Sequence, residues 1–257
     1  MGLNLDAIKA KLNQLNKSDD RRNNLWKPEA GKTRVRIVPY VHRKDNPFLE
    51  LYFHYDIAKR SMLSPVSFGN ADPVVEFAEK LKKTGSKEDW LMGRKIEPKM
   101  RTYVPVVVRG KESEGVKFWG FGKTIYTELL SIVSDPDYGD ITDLMSGRDI
   151  DVEFTPAEGG GYPKTAIRVK PNTSAATDDK AIAEKIMNQP EITDIFPEPT
   201  YEELENALKE WMNPENADSD VAEDSTETKA TTDTNTDAAT DGKKTDVASA
   251  FNDLFNN

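Results

Sequence analysis

Residues 117–126 read Lys-Phe-Trp-Gly-Phe-Gly-Lys-Thr-Ile-Tyr, with four aromatics, two glycines and two lysines in ten positions. A β-strand sends successive side chains to opposite faces. On a strand, Lys117, Trp119 and Phe121 share one face and Phe118 and Gly120 the other. The Gly-Lys-Thr triplet at 122–124 invites a phosphate-loop reading, but that motif needs a glycine five residues before Gly122. Lys117 stands there, and Gly115 is two residues too early. A hairpin is the better reading. Lys99 to Val108 (KMRTYVPVVV) is rich in β-branched and aromatic residues, and the loop Arg109–Gly115 joins it to the strand that begins at Val116. Pro105 cannot donate to a ladder, which predicts an edge position or a bulge there.

The flanking segments continue the pattern. Thr33 to Val38 alternates, with Val35 and Ile37 on one face and Arg34 and Arg36 on the other. Residues 47–57 (PFLELYFHYDI) read as a further strand, and 149–154 with 165–169 as a second hairpin across a glycine-rich turn. Helices enter between the strands. Asp72-Pro73 is an N-cap followed by proline at the first helical position, and Val74, Phe77, Ala78 and Leu81 make the apolar face of the helix it opens. Ile125 to Val133 reads as another helix, as do 178–188 and 200–212, the last opened by a capping box, Thr200 with Glu203. The fold class expected is mainly β with helices (α+β): a small β-barrel with helical insertions.

Charge divides the chain. The 257 residues carry a net charge of −10. Residues 1–170 hold 29 Lys and Arg against 24 Asp and Glu, and residues 171–257 hold 6 against 21, so a body of +5 carries a C-terminal part of −15. That asymmetry suits a partner of nucleic acid. With no cysteine there is no disulfide and no thiolate metal site, and His42 and His54 read as ordinary packed or solvent-exposed residues; no metal or cofactor is expected. Asp135, Asp137, Asp140 and Asp143 cluster in a stretch that reads as a solvated loop rather than a metal-dependent catalytic site, so the chain is read as a non-enzyme. No apolar run suits a membrane helix and no signal peptide stands at the start, which makes a cytoplasmic protein the expectation.

Three parts are expected: residues 1–24, an N-terminal helical arm; 25–212, the core; and 213–257, an acidic tail whose composition predicts disorder. Residues 4–16 are amphipathic, with Leu5, Ile8 and Leu12 on one face and Lys9 beside them. At the far end Val247, Ala250, Phe251, Leu254 and Phe255 form an apolar helical stripe, which reads as a docking peptide for a partner protein, the alternative being a segment that folds back on the chain's own body.

On the core, rings next to cations predict a stacking platform for unpaired bases. The candidates are Arg101 with Tyr103 on one strand and Lys117, Trp119 and Phe121 on the next, followed by Lys123. Arg94, Lys95 and Lys99 precede Arg101, and Arg34, Arg36, Lys59 and Arg60 add charge. A protein-interaction adaptor whose barrel binds a peptide is the alternative.

The order WKPEAGKTRVRIVPY, KMRTYVPVVV, GVKFWGFGKTIYTELL and YEELENALKEW, followed by an acidic tail with an apolar tip, resembles the single-stranded DNA-binding (helix-destabilising) proteins of T-even-type tailed bacteriophages. The resemblance implies an OB-fold core that binds single-stranded DNA cooperatively, without sequence preference, in the host bacterial cytoplasm. It further implies an N-terminal arm that joins neighbouring molecules, hence Leu5, Ile8, Lys9 and Leu12 in self-association. The acidic tail would recruit replication, recombination and repair proteins through Phe251, Leu254 and Phe255. The strand matches carry over as Lys99, Arg101, Tyr103, Trp119, Phe121 and Lys123. The family's prototype holds a zinc with one histidine and three cysteines; in this chain SPVSFGNADPVVEF occupies that region, so packing is expected to replace the metal and His54 is not taken as a ligand.

Overall fold

The computed structural model describes residues 23–43 and 45–212. The arm residues Leu5, Ile8, Lys9 and Leu12, the tail and its tip Phe251, Leu254 and Phe255 lie outside the described residues. In chain order the strands are β1 (Leu25–Trp26), β2 (Gly31–Ile37), β3 (Leu49–His54), β4 (Met62–Leu63), β5 (Lys99–Val108), β6 (Lys117–Phe121), β7 (Arg148–Thr155) and β8 (Lys164–Thr173). The helices are α1 (Pro73–Lys83), α2 (Lys87–Ile96), α3 (Lys123–Val133), α4 (Lys180–Met187), α5 (Ile192–Ile195) and α6 (Tyr201–Met212). The fold is therefore mixed, strands and helices together. Where the sequence reads one core, the described residues form two compact units: those up to Leu51 with Met100–Pro197, and Tyr52–Lys99 with those from Glu198 to Met212.

The first unit is built on a sheet ordered β1-β6-β5-β2-β7-β8. Its ladders are antiparallel except for the short parallel β1–β6 pair. Val35, Ile37, Val104, Val106, Trp119, Phe121, Ile150 and Val152 point to one side and form the core with Ile125 and Leu129 of α3. Alternation in β2 is as the sequence implies: Val35 and Ile37 are buried in this core, while Arg34 and Arg36 pair with Asp151 and Asp149 on the other face.

Pro105 corrects an expectation. It sits in β5, an interior strand between β6 and β2, opposite Phe118. Its carbonyl accepts from Val38 N (3.1 Å), so its missing N–H faces β2 one residue beyond that strand's end at Ile37. The ladder ends where the donor is lacking, and a central proline is tolerated without an edge or a bulge.

The second unit packs α1 against α6. Val74, Phe77, Ala78 and Leu81 meet Ile57, Ile96, Leu204 and Leu208 in its core. Asp72 caps α1 by accepting from the N–H groups of Val74 and Val75. The capping box of α6 is reciprocal: Thr200 N donates to Glu203 Oε2 (2.8 Å) and Glu203 N donates to Thr200 Oγ1 (3.2 Å). Among the described residues no helix is long and apolar enough to cross a membrane.

Candidate nucleic-acid interface

The three rings expected in the open are buried. Trp119 is 1% exposed, Phe121 4% and Tyr103 9%. The face of β6 that carries Trp119 and Phe121 is the core side of the sheet. Trp119 meets Trp26 edge-on at 5.6 Å between centroids and Phe121 at 4.7 Å. Tyr103 lies on the opposite face, across Gly120 in the β5–β6 register. A Cβ at position 120 would stand 2.6 Å from the Tyr103 ring, so glycine is required for that ring to lie over β6. Phe196 covers it at 4.8 Å between centroids. Both faces of this hairpin are thus occupied by the chain's own residues, and an open platform on Tyr103, Trp119 and Phe121 is not what the fold builds.

Several cations are likewise committed. Arg36 is fully buried: Nε donates to Asp149 Oδ1 (2.9 Å), and the guanidinium also donates to the Ser174 carbonyl and hydroxyl. It is a structural clamp and cannot reach a phosphate. Arg34 donates to Asp151 (2.8 Å) but remains nearly half exposed. Lys117 bonds the Asn23 carbonyl and pairs with Glu114 at 3.5 Å, with its side chain 16% exposed. Lys99 is exposed and pairs with Asp56 at 3.4 Å.

The remaining candidates fall into two groups. In the first unit Lys123 is exposed and opens α3, which starts at Gly122 without a side-chain cap or an acidic residue in its first turn. Arg101 is half-buried and donates to the Gly120 carbonyl at 3.2 Å, one strand away from the same helix end. Unsatisfied N–H groups at a helix start, beside two cations, attract an anion.

In the second unit Lys59 and Arg60 are exposed in the loop after β3. Arg94 and Lys95, which the sequence reading groups with the strand that follows them, stand on helix α2. Ser86 caps that helix, accepting from Asp89 N, and Asp89, Gly93 and Ile96 face inward. The exposed positions are Lys87, Glu88, Trp90, Leu91, Arg94 and Lys95, so the outward side of the helix carries three cations and one acid around the ring. Trp90 is 42% exposed and Leu91 52%. The Arg94 guanidinium lies over the Trp90 ring, 5.2 Å from its centroid. This is the open ring beside cations sought on β5–β6, in a place where sequence reasoning missed it. The signal was present as Ser86 followed three residues later by Asp89, a capping pattern that opens a helix.

Where the resemblance places a zinc, the described residues form a buried polar cluster. His54 Nδ1 lies 2.9 Å from the Ile96 carbonyl and Nε2 lies 2.9 Å from Asp72 Oδ2. Ser64 Oγ donates to the same carboxylate oxygen, and Asp72 Oδ1 caps α1. Burial works against the Asp72 carboxylate, but the bonds from His54, Ser64 and the Val75 N–H outweigh it and hold its pKa below the ordinary value. The expectation that packing alone replaces the metal is therefore incomplete: one carboxylate ties β3, α1 and the segment after β4 together, and His54 reaches the end of α2. Comparison with protein-family models finds no match for the chain, and comparison with curated proteins finds none either.

Proposed function

We propose that the chain is a non-catalytic binder of single-stranded DNA, acting without sequence preference and cooperatively. Its acidic tail would bring replication, recombination and repair proteins to the bound strand. The fold of the first unit is read with it as OB-like. The observation that carries the reading is the exposed part of α2, where Trp90 lies under the Arg94 guanidinium and Lys87 and Lys95 outnumber the one exposed acid, Glu88. An exposed indole offers a π-face that any base can stack on, and the cations neutralise the phosphates that accompany it. Arg101, Lys123 and the start of α3 supply a second place for a phosphate. A paired duplex hides its base faces, so such a surface favours the open strand. The DNA preference and the role of the tail come from the family resemblance.

The test is a titration of the full chain with labelled oligo-dT at two salt concentrations. Binding that weakens steeply with salt is expected; no salt-dependent binding overturns the reading. Trp90→Ala should weaken binding by about 5- to 150-fold, the equivalent of about 1–3 kcal/mol of stacking. The melting temperature should move much less than for truncation of a fully buried ring, because 42% of Trp90 is exposed and the Arg94 contact over it is worth only about 0.5–1 kcal/mol at an exposed site.

A further inference from the structure

The outer face of β2, β7 and β8 carries more positive charge than its own acids can balance. Register sets Arg34, Asp151 and Arg168 in one row and Lys32, Glu153 and Ala166 in the next. Asp151 is 3% exposed and draws in three cations: Arg34 Nε at 2.8 Å, Lys32 Nζ at 2.9 Å and Lys170 Nζ at 3.4 Å. Burial raises the carboxylate's pKa, yet these cations bring it down to about 2. One carboxylate offsets one cation, so two charges are left over. Arg168, opposite Asp151, and Lys164, opposite Thr155, are exposed and form no ion pair among the described residues. Glu153 is the one other acid in these rows. Charged residues on an edge strand guard against stray strand pairing. That accounts for Lys164 and Arg168 on β8, the last strand of the sheet, but not for Lys32 and Arg34 two strands in.

Like charges held this close repel one another, and an external polyanion relieves the repulsion. The β7–β8 hairpin also ends in a turn with Gly159 and Gly160 at positive φ, and beside it Tyr162 stands 73% exposed. Edge protection has no use for an exposed ring. A ring next to a cationic sheet face suits a ligand that has both phosphates and flat bases, and an acidic peptide offers only the first.

We propose that this face is a further contact for the backbone of single-stranded nucleic acid, with Tyr162 stacking a base at the hairpin tip. The proposal rests on the nucleic-acid-binding reading above and adds to it a surface built from other residues than those of α2 and the start of α3.

The test compares full-length wild type with the triple variant Lys164→Ala, Arg168→Ala, Lys170→Ala and with Tyr162→Ala, by fluorescence anisotropy on labelled oligo-dT over a salt series. Each phosphate contact on a single strand adds about 0.7 to the slope of log affinity against log salt. The triple variant should lose about 2 from that slope. Tyr162→Ala should weaken binding by about fivefold or more at constant slope. Asp151 keeps Lys32 and Arg34 in the triple variant, so its melting temperature should stay close to wild type. Wild-type binding with an unchanged slope in the triple variant overturns this proposal and leaves the primary reading standing; that is the result expected if the chain's own acidic tail covers this face. Absence of salt-dependent binding in the wild type overturns both.

Discussion

Trp119→Ala is expected to destabilise the first unit by about 3–5 kcal/mol, the range for truncating a large aromatic in a packed core. Whole domains are stable by only about 5–15 kcal/mol, so this one change removes a large part of the margin. The reason is the position of the ring: 1% exposed, edge-on to Trp26 and to Phe121, on the side of β6 that faces Val104 and Leu129. An alanine leaves a cavity that the neighbouring strands can close only in part. Urea unfolding should show a midpoint shifted far down at unchanged slope. Any loss of oligonucleotide binding should track the fraction unfolded, and Trp119→Phe should recover most of both. If Trp119→Ala keeps wild-type stability and loses DNA affinity, the indole is at the surface and the buried assignment is wrong. Trp90→Ala should give the opposite pattern, with affinity lost and most of the stability kept. The pair of variants separates the aromatic that builds the fold from the aromatic that can meet a ligand.

Why the sequence points to the wrong tryptophan is a matter of faces. Period-two alternation divides KFWGF correctly into Lys117, Trp119 and Phe121 against Phe118 and Gly120. It does not say which face is covered, and in this protein both are. Phe118 is as buried as Trp119, packed edge-on to Tyr40 at 6.0 Å. Tyr103 is closed over by Phe196, a residue 93 positions further along the chain. Long-range covering of this kind leaves no local trace in a strand. Features set within a few residues were legible: the Asp72 cap, the Thr200–Glu203 box, the alternation of β2 and both hairpins. Arg36 lies between the two cases. Its direction away from Val35 and Ile37 is local and was readable, but its burial depends on Ser174 and Asp149, more than a hundred residues away. Helix α2 is a different failure. Its start is local and readable at Ser86, but the basic run that follows draws attention to charge and away from period.

Asp72→Ala should be the most damaging single change in the second unit. Asp72 is 2% exposed, and its two oxygens serve four donors: Val74 N and Val75 N at the start of α1, Ser64 Oγ and His54 Nε2. Removing the carboxylate leaves a buried imidazole and a buried hydroxyl facing no acceptor, and it uncaps the helix. Breaking a buried pair in this way costs about 3–5 kcal/mol, and loss of the cap adds about 0.5–2 kcal/mol. Asp72→Asn retains a side-chain oxygen for the cap and should be milder. The pH dependence follows in sign. A carboxyl group with its folded-state pKa below the unfolded value stabilises the fold above the ordinary carboxylate range. That contribution fades as pH falls below 3.8, the unperturbed value, and on through the folded pKa. Unfolding midpoints measured from pH 7 down to pH 2 should therefore fall more steeply for wild type than for Asp72→Asn, which has no proton to take up. Parallel curves would mean that the carboxylate contributes no proton linkage and that His54 and Ser64 find their partners elsewhere.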